Sequence, residues 1–131
     1  MFKTVRLSDK LKEKEMIHMA NEFFQNRLDF MRGPIELNEM IKSGEALNII
    51  DVRRPEDYTK GHIPGAVNLP ESRWSSFKGL SKDRPNVVYC YTEVCQLSTK
   101  AAKYFVEHEF PVILLIGGFQ KWKMNELPVE S

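Results

Sequence analysis

Cysteine is scarce in this chain, with two thiols among 131 residues, too few for the disulfide scaffold on which small secreted domains rely. Two cysteines and three scattered histidines, His18, His62 and His108, also fall short of a structural zinc site with its four clustered ligands, and neither a metal nor an organic cofactor is expected. Excess charge of one sign is missing too, since 19 Lys+Arg face 18 Asp+Glu and leave a net charge of +1. No global field then attracts nucleic acid or an anionic membrane, so any anion must be held by a local site. Long apolar runs are absent as well. The longest, Val112 to Ile116, is far below the roughly 20 residues that span a bilayer. The first twenty residues carry Lys3, Arg6, Asp9, Lys10, Lys12, Glu13, Lys14 and Glu15 in place of an apolar stretch. No secretory signal is expected, and a cytoplasmic, reducing location keeps both thiols free.

What is present has two textures. From Ser8 to Arg32 there is no Gly or Pro, and Ile17, Ala20, Phe24, Leu28 and Met31 recur at helical spacing beside Met16 and Phe23. That pattern predicts one long amphipathic helix, capped by Ser8 or Asp9 and ended by Gly33-Pro34. Its Met and Phe stripe is expected to pack on the domain that follows. The alternatives are a helix that binds a protein partner or a second copy of the chain, or one that lies on a membrane surface, which Glu13, Glu15, Glu22 and Asp29 argue against. Residues 1–33 are thus read as a helical extension and 34–131 as the main domain.

After Pro34 short elements alternate. A helix is expected over Ile35 to Ser43, closed by Gly44, then strands over Ala46 to Val52 and Ala66 to Leu69 and a helical turn over Glu71 to Phe77. A strand over Asn86 to Tyr91, a helix over Leu97 to Glu109, a strand over Pro111 to Ile116 and a last helix over Gly118 to Asn125 complete the chain. Strands alternating with helices imply an α/β domain, a parallel sheet covered on both faces. The functional crevice of such a sheet lies beyond the carboxyl ends of its strands. Three segments fall there: Asp51 to Arg54, Cys90 to Gln96, and Gly117-Gly118.

Cys90 follows the apolar run Val87-Val88-Tyr89 and precedes a loop that enters a helix. A thiol so placed meets the N-terminal N–H groups of that helix, which lower a thiolate pKa and also bind anions. The competing role is the commoner one for a cysteine at a strand end, a small buried apolar residue.

Asp51-Val52-Arg53, Tyr58 and Gly61-His62-Ile63-Pro64-Gly65-Ala66 resemble the signature of the rhodanese homology domain, and Cys90 stands where that family keeps its catalytic cysteine. Gly117-Gly118 followed by Trp122, and the closing Leu127-Pro128-Val129, resemble the family's C-terminal pattern. The likeness covers Pro34 to Val129. It implies a rhodanese-like sheet and a sulfurtransferase: the Cys90 thiolate takes sulfane sulfur from thiosulfate or a persulfide donor, holds it as Cys–S–SH, and passes it to a thiol acceptor. The loop amides from Tyr91 to Gln96 would supply the N–H donors for the anion.

The loop Cys90-Tyr91-Thr92-Glu93-Val94-Cys95-Gln96 departs from the family pattern. It is about two residues longer than usual, and Leu97 stands where the family has an arginine. Thiosulfate would lose a charge-assisted contact worth about 1.5–3 kcal/mol and meet Glu93 instead. The longer loop is similar to that of cell-cycle phosphatases of the same fold, but these need an arginine five residues beyond the one following cysteine, and Gln96 occupies that position. Cys95 is a candidate resolving thiol for a Cys90 persulfide or sulfenic acid, against a purely packing role. Asp51 and Arg53 are expected to form an ion pair that shapes the site wall. His62 is expected to bond its own turn, and Gly117 and Gly118 to let the backbone pass close to the loop. Arg54 and Arg73 are candidate replacements for the missing loop cation. The alternative function is a catalytically weak module that keeps the fold and serves redox sensing or partner binding.

Overall fold

The computed structural model describes residues 7–131. Contacts divide the chain after Phe30. The first unit is one helix, α1 (Leu7–Phe30). Asp9 lies in its first turn, so the expected cap falls inside the helix, and the residue that would cap Leu7 lies outside the described residues. From Met16 onward the apolar positions share one half of the helix, whereas Leu11 sits across the axis from Phe23 and Phe24 at 100° per residue. A single stripe along the whole helix is therefore not what forms. Met16, Ile17, Met19, Phe23, Phe24 and Leu28 are exposed on the helix.

The second unit holds a sheet of five parallel strands: β1 (Met31–Arg32), β2 (Asn48–Asp51), β3 (Val67–Asn68), β4 (Asn86–Tyr89) and β5 (Val112–Leu115), ordered β1-β5-β4-β2-β3. Between them run α2 (Pro34–Lys42), α3 (Pro55–Lys60), a 3₁₀ helix (Glu71–Ser76) and α4 (Leu97–Glu107), and α5 (Gly118–Met124) follows β5. The helix predicted to reach Arg32 stops two residues earlier because Met31 and Arg32 pair with Leu114 and Leu115, and Arg32 O accepts the Ile116 N–H at 2.8 Å. α3 has no counterpart among the predicted elements. Its signals were in place, with Pro55 at the first helical position and Glu56 and Asp57 in the first turn.

Strand alternation sorts the core into two layers. Ile49, Val87, Tyr89, Ile113 and Leu115 face Leu37 of α2 and Phe119 and Trp122 of α5. Ile50, Val52, Val88 and Cys90 face Ala101 and Phe105 of α4 and Trp74 of the 3₁₀ helix. The sheet is covered on both faces, as the alternating pattern implied. Because Cys90 is two residues beyond Val88, its side chain belongs to the α4 layer. Asp51 and Tyr89 end their strands side by side in register.

Trp122 is fully buried, and its Nε1 donates to Pro128 O at 2.7 Å, fastening the C-terminal segment. Trp122→Ala should cost about 3–5 kcal/mol in urea unfolding, and a loss under 1 kcal/mol would contradict this packing.

Candidate active site

The loop from Cys90 to Gln96 joins the end of β4 to α4, at the carboxyl edge of the sheet. Cys90 itself is 1% exposed. Its Sγ lies 3.3 Å from Ser98 Oγ in the first turn of α4 and 3.8 Å from Cys95 O. Cys95 is half-buried in the same loop, where its N–H donates to Thr92 O at 3.2 Å. Both cysteines are free thiols.

The two thiols are not equivalent. Burial pushes the Cys90 thiol up, and the hydrogen bond it shares with Cys95 adds to that, while Ser98 opposes both. Cys95 is also penalised by burial, yet the hydrogen bond from Cys90 and the backbone N–H groups of Leu97, Tyr91 and Ser98 bring its thiol below the ordinary range. One negative charge placed in this loop thus resides first on Cys95, with Cys90 as hydrogen-bond donor.

α5 holds the start of the loop. Phe119 N and Gln120 N donate to Cys90 O and Tyr91 O, each at 2.9 Å. That contact needs glycine: a Cβ on Gly118, whose φ is +61°, would stand 2.8 Å from Cys90 O and from Tyr91 C. Gly117 precedes it with φ of +83°. On the other flank the Tyr91 hydroxyl donates to Asp57 Oδ2 at 2.6 Å and accepts the Arg54 N–H at 3.1 Å. Asp57 is held below the usual carboxylate range by that hydroxyl. Asp57 and the Tyr91 hydroxyl were missed from sequence, because only the unforeseen α3 brings them together.

The remaining candidates divide between wall and periphery. Arg53 binds Asp51 through Nε and Nη2, the latter at 2.8 Å, and Tyr89 donates to the same carboxylate at 2.6 Å. His62 is buried with Nδ1 2.9 Å from Tyr58 O and its ring stacked on Tyr58, as expected of a residue bonding its own turn, and its Nε2 also lies 3.6 Å from Glu130 Oε1. The Arg54 guanidinium is exposed and turned to Asp57 and Glu56, and its backbone N–H meets the Tyr91 hydroxyl at the edge of the loop. Glu93, Val94 and Gln96 are exposed, and Thr92 is half-buried. Among the described residues no group of three His, Cys, Asp or Glu is placed to hold a metal ion, and no helix is long and apolar enough to cross a membrane.

A family model for the rhodanese-like domain matches residues 33–125. The chain belongs to this family. The rhodanese-like domain is 37% identical over 92 residues to a thiosulfate sulfurtransferase GlpE of Shewanella oneidensis, covering 67% of this chain and 89% of that protein. It is 33% identical over 96 residues to an HTH-type transcriptional regulator of Mycobacterium tuberculosis, covering 71% of this chain but only 42% of the regulator. The chain thus spans less than half of that relative's length. Among solved structures, the BH2092 protein of Bacillus halodurans superposes with a TM-score of 0.80 at 32% identity, over 87% of this chain and 85% of the other.

Two outcomes check the site. Gly118→Ala should cost more than the roughly 1–2 kcal/mol of a left-handed alanine and change thiol reactivity. Gly65→Ala, with φ of +84° and nothing within 4 Å of the added carbon, should cost only that and leave the thiols unchanged. In alkylation followed by peptide mass spectrometry across pH, Cys95 should titrate below the ordinary thiol range and Cys90 above it. Cys90→Ala, which removes the donated hydrogen bond, should move Cys95 upward. Reversal of that order would refute the assignment.

Proposed function

We propose that this rhodanese-like domain is a sulfurtransferase that carries sulfane sulfur as a persulfide on Cys90. The observation that supports the reading is the placement of Cys90, buried at the end of β4 with its Sγ 3.3 Å from Ser98 Oγ in the first turn of α4 and 3.8 Å from Cys95 O in the same loop. The Cys95 thiolate takes the Cys90 proton, and the Cys90 thiolate attacks the outer sulfur of a low-molecular-weight persulfide. The donor S–S bond breaks and its electron pair leaves on the donor as a thiolate. An acceptor thiolate then attacks the outer sulfur of Cys90–S–SH, takes it, and returns Cys90 as thiolate. In the resolving role, Cys95 attacks the inner sulfur instead. Hydrosulfide leaves, and a Cys90–Cys95 disulfide remains for an external thiol to reduce. Free thiols in both positions suit the reducing cytoplasm.

The donor in this reading is a persulfide in preference to thiosulfate. The loop carries Glu93 and no cation, so a dianion must rely on backbone amides alone. Sulfur transfer from glutathione persulfide should exceed that from thiosulfate and be abolished by Cys90→Ser. Cys95→Ser should slow loading and remove the disulfide product. Transfer that survives Cys90→Ser at the wild-type rate would refute the reading. A second reading, a redox-sensing or partner-binding module, is favoured by the missing loop cation and by the exposed Phe23 and Phe24 of α1. Absence of turnover with both donors, together with a Cys90–Cys95 disulfide after mild oxidation, would select it.

A further inference from the structure

We propose that a cavity beside the active loop is a binding site for an organic carboxylate whose apolar body lies on Phe119. The cavity has a volume of about 420 Å³ and is walled by Arg53, Asp57, Lys60, Tyr91, Phe119 and Lys123. That is within the range of small-molecule sites, which run from roughly 300 to 1,000 Å³. Neither Cys90 nor Cys95 lines it, although Tyr91 and Thr92 of the loop do. It therefore adjoins the thiol cradle without being the same pocket.

Arg53 carries the argument. Its side chain is 5% exposed, and its Nε and Nη2 are taken by Asp51 and by Gly61 O, the last at 2.6 Å. Nη1, with two N–H donors, has no hydrogen-bond acceptor among the described residues. Because no buried side-chain nitrogen lacks a partner among the described residues, Nη1 is the solvent-reached end of the guanidinium, a charged donor open to an anion at the cavity wall. Its Cζ lies 4.2 Å from the centre of the Phe119 ring, and Lys123 Nζ lies 5.1 Å from the same centre.

The charge around the cavity favours an anion. Asp51 neutralises Arg53. Asp57, a carboxylate on the wall, is already taken by the Tyr91 hydroxyl and by Arg54. Lys60 acts on Asp57, helping to lower its carboxyl, and Lys123 stands over the Phe119 ring. With Arg53 paired to Asp51, the two lysines outweigh the one remaining wall carboxylate and leave the mouth net positive. Phe119, Tyr91 and Val129 supply apolar surface. A small inorganic anion would leave that surface wet, whereas an apolar body ending in a carboxylate satisfies both halves.

Benzoate and its neutral analogue benzamide, titrated into the full chain with calorimetry and amide chemical shifts, test the assignment. Benzoate should bind, shift the amides of Gly61, Thr92 and Gln120, and exceed benzamide about tenfold in affinity. Joint Lys60→Gln and Lys123→Gln should remove about tenfold of the benzoate affinity, while Lys42→Gln, a remote surface change, leaves it intact. Equal binding of the two probes, shifts confined to other residues, absence of binding at tens of millimolar, or an unaffected Lys60/Lys123 variant would each overturn the proposal. Benzoate binding needs no sulfur transfer, so the site stands or falls independently of the enzymatic reading. Benzoate that raises KM for glutathione persulfide with kcat unchanged marks the site as holding the substrate's own carboxylate, and an effect on kcat alone marks a separate ligand. Both outcomes require the site.

Discussion

The Asp51 carboxylate is the point to which the carboxyl edge of the sheet is tied. Fully buried at the end of β2, it accepts the Arg53 N–H, the Arg53 guanidinium and the Tyr89 hydroxyl. Each partner extends the tie. Arg53 reaches on to Gly61 O, and the Tyr89 hydroxyl accepts the Ile63 N–H at 3.2 Å, so the segment after α3 is anchored to β2 and β4 together. A carboxylate in such a place is tolerable only because its charge is paired and its oxygens are bonded, and removal of one partner from a pair of this kind costs about 3–5 kcal/mol. Burial and Asp51 together push the Tyr89 hydroxyl up, keeping it a proton donor throughout the physiological range.

The active loop hangs from that frame. Tyr89 is in the sheet, Cys90 is the next residue, and the amides of Phe119 and Gln120 grip the carbonyls of Cys90 and Tyr91. The grip is close enough that Gly118 admits no side chain. Beyond it the loop turns at Thr92–Cys95 and delivers Cys95 to the first amides of α4. The two thiols are shifted in opposite directions: burial holds the Cys90 thiol up, whereas at Cys95 hydrogen bonds outweigh burial and bring the thiol down.

The layered α/β fold was legible because strand alternation and helical periodicity are local signals, and the runs Asn48–Asp51, Asn86–Tyr89 and Val112–Leu115 carry them strongly. The edge strand Met31–Arg32 was not, since two residues have no period and acquire their state from pairing with β5. α3 was overlooked although Pro55 opens it, because six residues interrupted by Tyr58 give no apolar stripe, and none of them is buried. The Asp51–Arg53 pair was visible from spacing, but not the third partner, Tyr89, which comes from 38 residues away.

By itself the sequence determined the class of fold, the family signature, the strand-end position of Cys90 and the lack of a cation in its loop. Those are properties of neighbours along the chain. Only the tertiary structure decided in which direction each thiol is shifted, that α5 clamps the loop through glycine, and that Arg53 lines a cavity with residues of α3 and α5. Each of these depends on groups far apart in sequence meeting at a few ångströms, where burial and hydrogen bonding, not residue type, set the properties of a thiol or a guanidinium.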